Sequence, residues 1–264
     1  MEKIKEQPPC EICPPEECDI FDFMANTVGL TVLHPGGLKA TEKLSELCNI
    51  GKDKIVLDVG CGKGTSAIYL AKEYGCKVIG IDMMEGPIEE GKKNVGGNNL
   101  QDRVDLRVGD CHNLPFDDGG FDAVIFQAVL IFMDKSKALR EAIRVVKKNG
   151  FVGALELTWR KEPTDELKKI APEIICSAVV NAETTENWEN SFLKAGFDKV
   201  ESNIFHMDIG GPLDTLINEG FINSSRVFFK SLTNSDIRNK TRSIRTFFKE
   251  NKEYLGYGIY IGKK

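Results

Sequence analysis

The sequence predicts an α/β fold built on a doubly wound, mainly parallel sheet of seven strands. Apolar runs without polar alternation recur between residues 54 and 157, as is typical of strands buried on both faces of a parallel sheet. Segments with helical periodicity separate these runs, and such alternation implies parallel strands joined by helices. The expected strands are Lys54–Asp58, Lys77–Asp82, Val104–Val108, Phe121–Gln127, Phe151–Leu157, Lys199–Asp208 and Tyr257–Ile261.

The first predicted strand runs into a glycine-rich turn with the pattern Asp58-x-Gly60-x-Gly62-x-Gly64, after which helical periodicity begins. Since glycine has no Cβ, a ligand can touch the backbone there, and the first amides of the helix point toward it. The sixth position counted from Gly60 is Thr65, so the nicotinamide fingerprint is excluded. The turn also lacks the Gly-Lys-Ser/Thr ending of a phosphate-binding P-loop.

Three later segments carry polar residues where predicted strands end. Asp82 ends the second strand, about twenty residues after the glycines, where a carboxylate can accept hydrogen bonds from both hydroxyls of a ribose. Asp110 and Cys111 follow the third strand, and Gln127 ends the fourth. In order and spacing, the glycine turn and these segments resemble the motifs of the class I S-adenosylmethionine-dependent methyltransferases, over roughly residues 20–160.

The resemblance implies a Rossmann-like methyltransferase fold that binds S-adenosylmethionine and releases S-adenosylhomocysteine. It also implies that Asp110 meets the adenine amino group, that the amide of Cys111 meets the ring, and that Gln127 ends the strand under the methionine part. The expected cofactor-binding residues are Asp58, Gly60, Cys61, Gly62, Asp82, Met83, Asp110, Cys111 and Gln127. Taken singly, the glycines could be only a turn, and Asp82 or Asp110 only a helix N-cap.

The chain is expected to have four parts. They are a flexible arm rich in cysteine and proline (1–18), a helical N-terminal cap (19–50), the S-adenosylmethionine-binding core (51–158), and a helical substrate lid with the last two strands (159–264). The cap breaks at His34-Pro-Gly-Gly, and its layout resembles that of the ubiquinone/menaquinone-biosynthesis and arsenite methyltransferases. Candidates for the substrate side are His34, Trp159 and Cys176, although His34 could simply be a turn residue.

Eight cysteines, without a signal-like segment, are expected to be thiols, ligands or core residues rather than disulfides. Cys10, Cys13 and Cys18 lie in the arm, and Cys10-x-x-Cys13 has metal-ligand spacing, but no nearby histidine or fourth cysteine completes a zinc site. An exposed tail, a metal or metalloid site and a redox pair stay open for them. Cys176 looks similar to an arsenic-binding thiolate of arsenite methyltransferases, or it packs as a small core residue.

Composition limits the kinds of partner that the protein is expected to bind. A net charge of −5 and the lack of a basic stripe argue against nucleic acid, and the longest apolar run, Ala123–Met133, is too short to span a bilayer. We therefore expect a cytoplasmic enzyme, monomeric or homodimeric, that methylates a small-molecule acceptor on an undetermined carbon, nitrogen, oxygen, sulfur or arsenic atom. The alternatives are a metalloid or thiol methyltransferase that uses Cys176 and the N-terminal cysteines, and a non-catalytic S-adenosylmethionine-binding sensor or complex subunit.

Overall fold

A computed structural model of the protein describes residues 23–175, 179, 181–207 and 212–264. The strands are β1 Ile55–Val59, β2 Lys77–Asp82, β3 Val104–Val108, β4 Phe121–Gln127, β5 Val146–Trp159, β6 Glu183–Thr184, β7 Val200–His206 and β8 Leu255–Lys263. The α-helices are α1 Gly37–Leu47, α2 Thr65–Tyr74, α3 Glu85–Gly97, α4 Lys135–Val145, α5 Asp165–Ile174, α6 Thr185–Ala195, α7 Pro212–Thr233 and α8 Ser235–Glu250. A π-helical turn, Phe23–Val28, precedes α1, and a 3-10 turn, Leu130–Phe132, follows β4.

Seven strands form one continuous sheet in the order β3-β2-β1-β4-β5-β8-β7, and the two-residue strand β6 pairs with the end of β5 beside this path. Strand β1 is parallel to both β2 and β4, whereas β8 is antiparallel to both β5 and β7. The predicted doubly wound, mainly parallel sheet is confirmed. Because the chain leaves β1 toward β2 and later returns to β4 on the other side, the carboxyl ends of β1 and β4 border the crevice where such sheets bind ligands.

The start of β5 differs from the prediction. The strand begins at Val146 instead of Phe151, so the expected turn at Asn149-Gly150 lies inside it. Asn149 does adopt the left-handed conformation of a turn, with a φ of 66°. Its amide donates to the carbonyl oxygen of Lys264 at 2.7 Å, and the pairing with the end of the chain keeps this irregular stretch in the sheet.

Apolar layers cover both faces of the sheet. Side chains of α1, α2 and α3 pack on one face, and those of α4 and α6 pack on the other. Trp188 of α6 is fully buried, and its indole nitrogen donates to the carbonyl oxygen of Leu157 at 3.1 Å, which fixes the helix on β5. Among the described helices, none combines the length and the apolar character that a membrane crossing requires.

Helix α7 holds the loop that leads into α1. The carboxylate of Glu219 accepts hydrogen bonds from the amides of Thr31 (2.8 Å) and Val32 (3.1 Å). The side-chain oxygen of Asn218 accepts from the amide of Leu38 at 2.9 Å. This bond supplies the cap that α1 lacks at its own N-cap residue, Gly36. The predicted cap and lid segments are therefore joined by hydrogen bonds from side chains to the backbone.

Candidate active site

The glycine turn links β1 to α2 at the crevice. Gly60, Gly62 and Gly64 all have left-handed backbones, with φ values of 73°, 50° and 74°, a conformation that costs other residues steric strain. The amide of Gly60 donates to the carbonyl oxygen of Ile81 at 2.8 Å, and the amide of Gly62 donates to Oδ2 of Asp82 at 3.0 Å. The turn is thus fastened to β2, the neighbouring strand.

The space around the three glycines differs. A Cβ added at Gly60 would lie 2.5 Å from Cγ1 of Val129, and one at Gly64 would lie 2.7 Å from Cδ1 of Leu106. A Cβ at Gly62 would meet no atom within 4 Å. The open space for a ligand therefore lies at Gly62, whereas the protein itself fills the space beside Gly60.

Asp58 is a buried carboxylate at the end of β1. Its Oδ1 accepts a hydrogen bond from Nε2 of Gln127 at 3.4 Å, and within the described part of the chain its Oδ2 has no partner. The pKa of Asp58 is raised to about 7, mainly by burial; the bond from Gln127 opposes this shift, and the charge of Asp82 contributes to it. A buried oxygen without a donor is costly, so this carboxylate is suited to a cationic or hydrogen-bonding group of a ligand.

A chain of polar side chains runs from Asp58 to the N-terminal cap. The hydroxyl of Thr41, in α1, donates to Oε1 of Gln127 at 2.8 Å, and the same hydroxyl oxygen lies 3.1 Å from Nε2 of His34. Ser66, at the start of α2, has its hydroxyl 3.5 Å from the same ring nitrogen. The chain therefore connects β1, β4 and both helices next to the glycine turn.

His34 is neutral in this environment. Burial lowers its pKa to about 4, against a weaker opposing effect of the Pro35 carbonyl. Its Nδ1 lies 3.2 Å from that carbonyl oxygen, which can only accept, so the ring proton is on Nδ1 and Nε2 accepts from a hydroxyl. Thr41 uses its own proton on Gln127, which leaves Ser66 as the donor to Nε2.

Asp82 stands at the end of β2, two residues beyond the residue that pairs with Asp58. Its Oδ1 accepts from the amide of Met84 at 2.9 Å, in addition to the bond that Oδ2 accepts from Gly62. Burial raises its pKa, and the amides of Met84 and Gly62 oppose this shift. The neighbouring Met83 exposes about half of its surface, 53%. Each oxygen of Asp82 keeps a second lone pair with which a ligand hydroxyl could be bound.

Asp110, Cys111 and His112 form a turn after β3. Their ligand atoms lie within 4.8 Å of one another, a spacing that a metal ion could use. Nδ1 of His112 is 2.9 Å from Oδ1 of Asp110, and its Nε2 accepts from the amide of Asp134 at 3.2 Å. Because both ring nitrogens are engaged, we interpret the group as an ordered turn that orients Asp110. The Cys111 sulfur lies 3.4 Å from that of Met133.

The described cysteines include three buried thiols, those of Cys48, Cys61 and Cys76. Burial raises the pKa of each of them, so these thiols stay protonated near neutral pH. The side chain of Cys61 packs against Gly80, where an added Cβ would lie 2.7 Å from its sulfur, so only its backbone is available to a ligand. The predictions for four further cysteines fall outside the described residues: Cys10, Cys13, Cys18 and Cys176.

Trp159 is buried at the carboxyl end of β5 and lines a cavity of about 260 Å³ between α5 and α6. The cavity wall mixes apolar and charged groups, among them Val179, Lys168 and Glu183. Trp159 lies four residues beyond Leu155, the partner of Gln127, which corresponds to roughly 13 Å along a strand. The structure thus brings His34 to the glycine turn but leaves Trp159 farther along the sheet.

Several residues of the site were missed by sequence reasoning. Thr41 and Ser66 look like ordinary helix residues, and Val129 looks like any apolar residue of the segment after β4. Glu156 does carry a signal, because it is a single charge within the apolar run of β5. In the structure it is fully buried and accepts the amides of Val129 (3.0 Å) and Leu130 (2.9 Å).

Comparison with known proteins agrees with this geometry. A methyltransferase domain family matches residues 57–153. An uncharacterized protein of Haemophilus influenzae is 30% identical over 229 residues, which cover 86% of this chain and 90% of that protein. The demethylmenaquinone methyltransferase of Lactobacillus johnsonii is 33% identical over 156 residues, 58% of this chain and 61% of that enzyme.

A solved structure adds a likeness in fold alone. The phosphoethanolamine N-methyltransferase 2 of Haemonchus contortus, crystallised with S-adenosylmethionine, superposes with a TM-score of 0.68 at 19% identity, over 92% of this chain and 59% of that one. The matched domain contains the glycine turn, Asp82, the Asp110 turn and Gln127. With this sheet order, that turn and these relatives, the chain belongs to the class I S-adenosylmethionine-dependent methyltransferases, a family of enzymes whose cofactor is S-adenosylmethionine.

Proposed function

We propose that the protein transfers the methyl group of S-adenosylmethionine to a small-molecule acceptor. The observation that carries this proposal is the pair of carboxylates at the open glycine turn, of which Asp58 is buried and Asp82 is partly buried. Asp82 fastens the turn at Gly62, and Asp58 keeps a buried oxygen, Oδ2, that lacks a donor among the described residues. A ligand with hydroxyls at one end and a cation at the other suits this arrangement.

The residues of the turn fit S-adenosylmethionine. In the proposed complex, Asp58 receives the ammonium of the methionine part, next to Gly60, Cys61 and Gln127. The space at Gly62, which a Cβ would fill, admits the cofactor close to the backbone. When bound, the cofactor supplies a methyl group on a sulfonium, whose sulfur is an excellent leaving group because it departs as a neutral thioether.

The adenosine part is assigned to the ends of β2 and β3. Asp82 accepts hydrogen bonds from the ribose hydroxyls, with Met83 beside it, and Asp110 and the amide of Cys111 contact the adenine. His112 supports this role because its ring is 2.9 Å from Oδ1 of Asp110 and leaves the other carboxylate oxygen for the ligand. The chain's main contribution to the reaction is then to hold the acceptor in line with the methyl group and to exclude water.

A small acceptor is supported by the way in which the cap covers the crevice. The loop of residues 29–38 places His34 within reach of Thr41 and Ser66, and Glu219 of α7 holds this loop from outside. His34, with a pKa of about 4, is a weak base, so its proposed role is to orient the hydroxyls and not to remove a proton from the acceptor.

Binding and turnover test the proposal separately. Calorimetry with S-adenosylhomocysteine should give a one-to-one complex that Asp58→Asn weakens, whereas Asp105→Asn, which removes an exposed carboxylate on β3, should not. Labelled methyl groups should then reach at least one acceptor in a panel of quinone-like compounds, amines, thiols and arsenite. Lack of binding would refute the proposal. Binding without transfer to any acceptor would favour a sensor or complex subunit.

A further inference from the structure

Glu156 is an acidic residue in the interior of the sheet. It follows Leu155, the residue of β5 that pairs with Gln127 of β4, and its side chain is fully buried. Burial raises its pKa to about 7, against weaker opposing effects of the amides of Leu130 and Val129 and of the charge of Lys135. Burying such a group in an apolar strand is costly unless hydrogen bonds to its carboxylate compensate for the lost water.

The carboxylate caps the loop after β4. Oε1 of Glu156 accepts from the amides of both Val129 (3.0 Å) and Leu130 (2.9 Å), and the 3-10 turn that starts there has no side-chain cap of its own. Ala128, just before, has a left-handed φ of 57°, which is unfavourable for alanine. Its amide donates to Leu155 at 2.7 Å. Strand β5 therefore holds this loop in a conformation that the loop's own sequence does not favour.

The held loop forms one wall of the glycine turn. The position that a Cβ of residue 60 would occupy lies 2.5 Å from Cγ1 of Val129, so the valine is seated directly on Gly60. Gln127, just before the loop, bonds to Asp58. A shift of the loop would consequently move two groups that border the proposed methionine end of the cofactor.

The second oxygen of Glu156, Oε2, is buried and has no hydrogen-bond partner among the described residues. The surrounding polar groups are already engaged. Tyr260 is 2.9 Å from the hydroxyl of Thr158, and Nζ of Lys135 donates to Glu183 and to the carbonyl oxygen of Asn181. The described hydrogen bonds of this carboxylate go to the backbone of the loop after β4, so holding that loop is the role that they support.

We infer that Glu156 is a positioning residue for the proposed methyl transfer. Its carboxylate fixes the backbone of Val129 and Leu130, so that the valine stays against Gly60 and Gln127 stays on Asp58. This inference rests on the proposed function, because the wall matters only if the turn binds the cofactor.

The test compares three substitutions by calorimetry with S-adenosylhomocysteine, at temperatures well below each variant's melting point. Glu156→Leu removes both hydrogen bonds and should weaken binding more than tenfold. Glu156→Asp, one methylene shorter, should weaken it three- to tenfold. Glu156→Gln keeps one acceptor oxygen and should stay within threefold of the wild type. Asp122→Asn is the matched control, since Asp122 also accepts a backbone amide, from Ile55 at 2.9 Å, but at the opposite end of the sheet.

The outcomes separate positioning from mere stability. If Glu156→Leu and Glu156→Asp lower the melting temperature but bind with wild-type affinity, the inference is wrong. If Glu156→Leu does not fold, Glu156→Asp decides the matter, together with hydrogen exchange at the Val129 and Leu130 amides, which should accelerate. A wild-type protein that binds no S-adenosylhomocysteine would instead refute the proposed function, while the exchange rates would still report whether Glu156 holds the loop.

Discussion

Cofactor affinity should depend on pH through Asp58. Its pKa in the ligand-free protein is about 7, because burial disfavours the charged form. If the ionised carboxylate receives the ammonium of the cofactor, protonation competes with binding. For a pKa of 7 the ionised fraction falls about tenfold between pH 8 and pH 6, so the affinity should fall by about 1.4 kcal/mol.

Calorimetry with S-adenosylhomocysteine can measure this effect directly. At pH 7 about half of the Asp58 carboxyls are protonated, so binding should release about half a proton, detectable as a difference between buffers of unlike ionisation heat. The pKa of Asp82 is also raised. Because Asp82 remains in the Asp58→Asn variant, its contribution to the pH dependence can be measured there and subtracted. His34, with a pKa of about 4, does not titrate in this window. An affinity that is constant from pH 6 to pH 8, or an equal slope in Asp58→Asn, would refute the reasoning.

The raised pKa of Asp58 has the opposite effect on the stability of the ligand-free protein, which should fall as the pH rises. The pKa of Asp58 is raised from 3.8 in the unfolded chain to about 7, so the folded state holds its proton more tightly. The contribution to stability is present at low pH and is lost as the pH rises from about 4 to about 7. At pH 8, Asp58→Asn should therefore raise the free energy of unfolding, on the order of 2–4 kcal/mol, while it weakens cofactor binding.

Three further substitutions test the glycine turn and its cover. Gly62→Ala should weaken the binding of S-adenosylhomocysteine at least tenfold in calorimetry. The control Gly75→Ala changes a glycine with a similar φ of 66° at the end of α2, and it should only cost about 1 kcal/mol of stability. Equal affinities of the two variants would contradict the proposal that the cofactor occupies the space at Gly62. Asp82→Ala should weaken S-adenosylmethionine and S-adenosylhomocysteine alike, by about 2–4 kcal/mol, and an unchanged affinity would remove Asp82 from the site. Glu219→Gln should speed hydrogen exchange at the amide of Thr31 with little change in melting temperature, and unchanged exchange would mean that α7 does not hold the cap loop.

The sheet and its two acidic strand ends could be predicted from the sequence because their signals are local. A strand buried on both faces is a continuous apolar run, and its end is marked by the first polar residue. Asp58 and Asp82 each stand at such a point, and parallel pairing of β1 with β2 brings the two ends together. Their closeness at the turn thus follows from strand pattern and topology alone.

The environment of the glycines could not be predicted in the same way. The sequence indicates that residue 60 has no room for a side chain, but it does not indicate which atoms take that room. The side chain that lies where a Cβ of residue 60 would be is that of Val129, 69 positions later. Similarly, the bond between Thr41 and Gln127 joins residues 86 positions apart, and neither carries a local signal. The assignments to the arm cysteines and Cys176 stay predictions.

Long-range contacts link the loop of residues 29–38 to the proposed cofactor turn. Glu219 holds the loop that contains His34, His34 lies against Thr41, and Thr41 bonds to Gln127, which bonds to Asp58. Ionised Asp58 is a stronger acceptor than its neutral form, so a cation that keeps it ionised should strengthen the bond from Gln127 and the packing of Thr41 against His34. If Asp58 binds the cofactor as proposed, cofactor binding and the ordered position of the loop of residues 29–38 should stabilise each other.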